Sequence, residues 1–170
     1  MNNYFLIYDD CCFFEIVILS YFLKIKNQEV QYCSMNGSSV RSMEGFSVNV
    51  DLSVEELDTD NIKCFVIPGG DVKPINNDVI FSLLLDLKEK GSVIAAICAG
   101  VDILNKAGVL DGVHSTHSDD SDVSNDKKII TARANAYADF AIEVTKELEL
   151  FDDEEDLQET IDFWKYHKRC

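Results

Sequence analysis

The sequence predicts an α/β fold, a flavodoxin-like doubly wound sandwich with a mostly parallel sheet and helices on both faces. Three observations carry that reading. Short uninterrupted apolar runs, such as residues 63–67 and 92–97, have the composition of strands buried on both sides. Longer segments with apolar residues at helical spacing, such as 77–90, fall between them. Finally, the chain has only two prolines and eight glycines, so the glycines act as punctuation at segment ends.

In chain order, residues 4–8 form a short apolar strand. Asp9 and Asp10 then offer capping carboxylates to a helix over 12–24. That helix carries Phe13, Phe14, Ile16, Val17, Ile18, Leu19, Tyr21, Phe22 and Leu23, so it is apolar nearly all round and needs cover on more than one face. The sheet supplies one cover. A second copy of the chain is expected to supply the other, which predicts a homodimer through this helix. Residues 29–35 and 40–50 alternate as strands, with turns at Asn36-Gly37 and Gly45, and 53–60 is a short acidic helix or turn. The strand 63–67 ends in Pro68-Gly69-Gly70. Helix 77–90 stops at Gly91, strand 92–97 follows, and helix 101–106 stops near Gly108. Short strands are expected at 113–116 and 128–131, a helix at 134–150, and a polar amphipathic helix at 154–167. At 170 residues the chain is expected to be one domain, with 151–170 as an acidic helical extension.

Net charge is −16, which repels phosphate backbones and anionic lipid heads, and no Lys/Arg cluster opposes it. Neither nucleic acid nor a membrane is expected as a partner. The apolar stretch 11–25 is interrupted by Glu15 and is shorter than the roughly 20 residues of a membrane span. The six cysteines show no metal-ligand spacing: Cys33 and Cys64 lie in apolar runs, Cys11 and Cys12 are adjacent, and Cys170 ends the chain. Reduced thiols in a cytoplasmic protein are the expectation.

In doubly wound folds, ligands bind beyond the carboxyl ends of the strands. Three chemistry-bearing positions fall there: Glu15 after the first strand, Gly69-Gly70 after 63–67, and Cys98 after 92–97. Cys98 stands where a buried strand breaks and a helix begins, flanked at two residues on either side by Ala96 and Gly100. Small flanks of this kind permit a nucleophile elbow, which would expose the sulfur at a helix N-terminus and favour a thiolate. The bland alternative is an inert buried thiol. Glu15 reads either as a first-turn acid favoured by the helix dipole, or as an acid of raised pKa hydrogen-bonded to Cys98. Gly69 and Gly70 are either a plain turn or donors which, with the Ala99 N–H, make an oxyanion hole. His117 could reach the same crevice as a proton carrier; His114 and His167 read as structural or solvated.

These stretches resemble the ThiJ/PfpI superfamily: Ala95-Ala96-Ile97-Cys98-Ala99-Gly100, Val66-Ile67-Pro68-Gly69-Gly70, residues 104–112, and Ser115-Thr116-His117, with Glu15 after the first strand. The likeness runs from about residue 4 to 150. It implies Cys98 as nucleophile or oxidation-sensitive thiol, Glu15 as its hydrogen-bonded acid, Gly70 and Ala99 as oxyanion donors, His117 as a neighbour, and a homodimer. The superfamily's proteases place histidine directly after the cysteine, where this chain has Ala99. Its glutamine amidotransferase relatives need a late His-x-Glu pair that is missing after His117. The implied chemistry is a cofactor-free, metal-free hydrolase or lyase acting on a small electrophile of the α-oxoaldehyde or isonitrile type. The other reading is a stress-responsive protein whose cysteine oxidises reversibly without a dedicated substrate. A binding module that keeps only the fold is the third.

Overall fold

The computed structural model describes residues 1–169; Cys170 lies outside them. The chain runs β1 (Asn2–Leu6), α1 (Phe14–Ile25), β2 (Val30–Ser34), β3 (Val40–Arg41), β4 (Ser47–Val48), β5 (Leu52–Ser53), β6 (Ile62–Ile67), α2 (Asp78–Lys90), β7 (Val93–Ile97), α3 (Gly100–Lys106), β8 (Val123–Asp126), β9 (Ile129–Ala132), α4 (Tyr137–Glu147) and α5 (Glu154–Trp164). Seven strands form one sheet in the order β5-β2-β1-β6-β7-β9-β8. All neighbours are parallel except β8 and β9. Every residue of the interior strand β7 is buried, so the sheet is covered on both faces. α1 packs with α4, α2 packs with α3, and α2, α3 and α4 all reach β7. This is the flavodoxin-like sandwich that the pattern of buried runs predicts. The register sets Ile67 beside Ala96, so the loops that follow β6 and β7 leave the sheet edge side by side.

Local physics corrects several expectations. Asp9 and Asp10 do not cap α1. Asp9 Oδ1 accepts from the Arg41 N–H at 2.8 Å. The helix start is capped by Glu44, whose carboxylate accepts from the Phe13 and Phe14 N–H groups at 3.2 and 2.8 Å. Burial pushes that carboxyl up, but these bonds and one from Ser42 outweigh it and hold it below the usual range. Residues 40–50 are not one strand: β3 and β4 make a separate two-stranded hairpin. It docks on the segment between β1 and α1, where the Asp10 N–H donates to Arg41 O at 2.8 Å and the Met43 N–H to Cys11 O at 2.9 Å. Residues 113–116 are not a strand either. The His114 and Thr116 N–H groups donate to the side chains of Asp126 and Thr131, at 2.8 and 2.9 Å, instead of to a ladder. The edge is β8, a polar segment that fits an edge position. It turns into β9 through Lys127 and Lys128, both at positive φ, a tight-turn conformation that usually selects Asn-Gly.

α1 buries Ile16, Leu19, Phe22 and Leu23, while Phe14, Val17, Tyr21 and Ile25 remain about half exposed. Its second cover within the chain comes from α4 and from the acidic extension. α5 lays Trp164 edge-on to Phe22 at 5.4 Å and beside Tyr21 at 6.0 Å. Lys26 ties the far end of α5 through Asp156 at 2.5 Å and Asp152 at 3.5 Å. Among the described residues, no helix is long and apolar enough to cross a membrane.

Candidate active site around Cys98

β7 delivers Cys98 to the carboxyl edge of the sheet, where its N–H still donates to Ala132 O at 2.9 Å, as if the strand continued. At that point the backbone turns to a φ of 57°. For a side-chain-bearing residue this conformation costs about 1–3 kcal/mol, and it persists because the sheet on one side and α3 on the other over-determine it. Gly100 makes the turn possible. A β-carbon there would lie 2.5 Å from Ile67 O and 2.8 Å from Pro68 O. The small residue expected two positions after the nucleophile is therefore required, but by the end of β6 and not by contact with Ala96.

Gly69 is packed directly over the cysteine. A β-carbon on it would sit 2.6 Å from Cys98 Cβ, 2.8 Å from Sγ and 3.0 Å from the Ala99 nitrogen. The Gly69 N–H donates to Glu15 Oε2 at 2.7 Å, so this expected oxyanion donor is already engaged by the acid. Gly70 adopts a φ of 114°. A β-carbon there would meet Asp10 O and Cys11 Cα, and an isolated bridge joins it to Cys11. It pins the segment between β1 and α1 against the β6 loop, with the Cys12 N–H donating to Gly69 O at 2.9 Å.

Glu15 is 1% exposed, and its Oε1 is buried without a hydrogen-bond partner. Burial pushes its carboxyl up, partly offset by the Gly69 N–H and the neighbouring Cys98 sulfur. The half-buried Cys98 thiol is also pushed up, first by burial and then by the Glu15 charge, while the Ala99 N–H beside the sulfur pulls the other way. This reverses the sequence-based expectation of a thiolate favoured by the helix start. Burial and the Glu15 charge outweigh the Ala99 N–H at the start of α3. The two groups form a coupled pair in which the loss of one proton opposes loss of the second.

His117 lies at the rim. Its Nε2 is 3.4 Å from Asp102 Oδ1, in the first turn of α3, with both side chains about half exposed. It pairs with this acid and not with the sulfur. His114 is tied to Ser124 and Asp119. Among the described residues, no group of three or more His, Cys, Asp or Glu is placed to share a metal ion.

Three contributors escape sequence reasoning. Tyr8, 2% exposed, donates its hydroxyl to Pro68 O at 2.7 Å and Gly69 O at 2.8 Å, clamping the loop that covers Cys98. In sequence it is simply the last residue of an apolar strand. Glu44 fixes the start of α1 and so the height of Glu15, from a hairpin whose docking no local pattern announces. Asp102 adds a second acid near the sulfur, and its charge also raises the Cys98 thiol.

Comparison with known proteins supports the fold and places the chain in a family. The model of the DJ-1/PfpI family matches residues 2–147. Deglycase TK1284 of Thermococcus kodakarensis is 33% identical over 104 residues, 60% of this chain and 63% of that protein. Deglycase PfpI of Pyrococcus furiosus is 31% identical over the same shares. The chain thus spans less than two thirds of these relatives. The structure of the DJ-1 superfamily protein Atu0886 from Agrobacterium tumefaciens superposes with a TM-score of 0.85 at 25% identity, covering 99% of this chain and 100% of the other. Drosophila melanogaster DJ-1beta gives 0.77 at 22%, covering 95% and 97%, a likeness of fold alone. With its family model matched from the first strand through α4, and its cysteine, acid and double glycine at one edge of the sheet, the chain belongs to the DJ-1/PfpI family.

Proposed function

We propose that the protein is a cofactor-independent, cysteine-dependent enzyme acting on a small electrophilic carbonyl of the α-oxoaldehyde class. The observation that carries this reading is the Glu15 carboxyl: one oxygen held by the Gly69 N–H, the other buried and unpartnered beside the Cys98 sulfur. A raised acid facing a raised thiol is poised to take the thiol proton as sulfur attacks the aldehyde carbon. The hemithioacetal oxygen would then be received by the Ala99 and Gly70 N–H groups. His117 with Asp102 is the second proton-carrying pair, at the mouth. Internal hydrogen shift and hydrolysis return a 2-hydroxy acid, so the net reaction adds one water and needs no redox partner. The deglycase names of several relatives support carbonyl chemistry.

The test is turnover of methylglyoxal, and of a simple isonitrile as the competing substrate type, by wild type, Cys98→Ser and Glu15→Gln. Wild-type turnover lost by at least about a hundredfold in Cys98→Ser is expected. Equal rates in both end the proposal. The second reading, reversible oxidation of Cys98, is favoured by its partly exposed sulfur. It would show as oxygen added at Cys98 with no turnover.

We also propose a homodimer through α1 in a reducing cytoplasm. Phe14, Val17, Tyr21 and Ile25 present a half-exposed apolar stripe. Beside it a groove of about 600 Å³, lined by Ile18, Tyr137, Phe163 and Trp164 among others, lies away from Cys98. Light scattering that returns the mass of one chain at micromolar concentration would remove this part.

A further inference from the structure

Of the five described cysteines, Cys11, Cys33 and Cys64 are fully buried, and only Cys12 and Cys98 reach solvent. The fold brings the segments that carry these two together at Gly69. Cys12 donates its N–H to Gly69 O at 2.9 Å, and Gly69 is the residue packed within van der Waals range of the Cys98 sulfur. Cys12 lies two residues before α1, and the Glu15 N–H donates to Cys12 O at 3.3 Å. Cys12 is partly buried, and its sulfur lies 3.8 Å from Met43 Sδ. Electrostatics agrees: burial, then Glu15, then Cys98 push the Cys12 thiol up to about 11. Nothing in the proposed carbonyl chemistry uses Cys12.

We propose that Cys12 is the resolving thiol of Cys98: when a hydroperoxide oxidises Cys98, Cys12 traps the product as a Cys12–Cys98 disulfide. The step balances. Cys98 sulfur takes one oxygen from the peroxide and releases an alcohol, or water from hydrogen peroxide, to give the sulfenic acid. The Cys12 sulfur then attacks that sulfur, the S–S bond forms, the S–OH bond breaks, and water leaves with the Cys12 proton. Two thiols supply the two electrons that reduce the peroxide. Closing the bond brings the Cys12 segment toward Cys98, giving up the Met43 contact and straining the bond to Gly69. A dithiol reductant restores both thiols. The consequence is protection, because a captured sulfenic acid does not advance to the irreversible sulfinic acid. The inference rests on the reading of Cys98 as the accessible, reactive thiol.

The test is peptide mapping and intact mass after a several-fold molar excess of hydrogen peroxide, on wild type, Cys12→Ser and Cys98→Ser. Wild type is expected to lose about 2 Da and yield the linked Cys12 and Cys98 peptides, reversed by dithiothreitol. Cys12→Ser is expected to gain about 32 Da at Cys98 instead. Mapping of wild type needs no variant, so a misfolded Cys12→Ser would not decide the matter. Sulfinic acid at Cys98 at equal rates in wild type and Cys12→Ser overturns the inference while leaving a reactive Cys98. So does a Cys11–Cys12 or intermolecular disulfide. Oxidation confined to Cys12, with Cys98 untouched, overturns both this inference and the reading of Cys98 beneath it.

Discussion

Gly100→Ala tests whether the elbow is built by close approach of β6 to α3. The added methyl would lie 2.5 Å from Ile67 O and 2.8 Å from Pro68 O, both backbone atoms at the end of a buried strand. Ordinary C···O contacts stand at about 3.3–3.6 Å, so the first turn of α3 must retreat by about 1 Å or β6 must give way. Overpacking of this kind costs about 1–3 kcal/mol. Against it runs a gain of about 0.4–1 kcal/mol from a less flexible unfolded chain. The net effect runs from about zero to a loss of about 2.6 kcal/mol, and its midpoint of about 1.3 kcal/mol corresponds to a melting temperature lower by about 3–5 °C for a chain of this size. The same displacement moves Cys98 relative to Gly69 and Glu15, and misplacement by about 1 Å at a reacting atom costs on the order of a hundredfold in rate. Differential scanning fluorimetry and the rate of Cys98 alkylation by iodoacetamide, followed by mass, read both effects. A variant that melts at or above the wild-type temperature and alkylates at the wild-type rate refutes the close-approach account of the elbow.

Further outcomes follow from the same geometry. Because burial raises the Glu15 carboxyl, the folded state holds its proton more tightly than the unfolded state. Stability linked to this group is present below the ordinary carboxylate pKa and falls as pH rises through the folded value. Glu15→Gln should therefore gain in melting temperature over wild type at neutral pH and lose that advantage in acid; a difference independent of pH counts against this. The same variant removes the charge that raises the Cys98 thiol, so its alkylation profile should move to lower pH, and an upward move would contradict the pairing. Tyr8→Phe leaves the Pro68 and Gly69 carbonyls without their shared donor, at a cost of about 1–3 kcal/mol, seen as a lower melting temperature with slower Cys98 alkylation. An unchanged melting temperature would place the hydroxyl outside the clamp. Lys26→Met cuts the tie to Asp156 and Asp152, a partly exposed pair worth about 1 kcal/mol or less. Hydrogen exchange should quicken in α5 while Cys98 alkylation holds; faster exchange around Cys98 would show that the extension supports the site.

Much of this molecule is written locally. Strands buried on both faces need a continuous apolar run, so β6 and β7 announce themselves in Phe65-Val66-Ile67 and Val93-Ile94-Ala95-Ala96-Ile97. The glycines after them are legible because close backbone approach tolerates nothing larger, as Gly69 and Gly100 show. Cys98 could be picked out for the same reason. What local pattern does not carry is which distant groups meet. The sequence places Asp9 and Asp10 before a helix, yet tertiary packing hands the cap to Glu44 across a hairpin. It shows Tyr8 as one more core aromatic, and only the fold turns its hydroxyl onto the Pro68–Gly69 carbonyls. The edge strand β8 stayed hidden because an edge is allowed to be polar and its turn is made by two lysines. The protonation balance of Cys98 likewise depends on desolvation and on Glu15, a residue 83 positions away in sequence. Hydrophobic burial is additive along the chain and can be read one segment at a time. Hydrogen bonds and charges act between specific atoms, so their outcome waits on the distances that the folded chain sets.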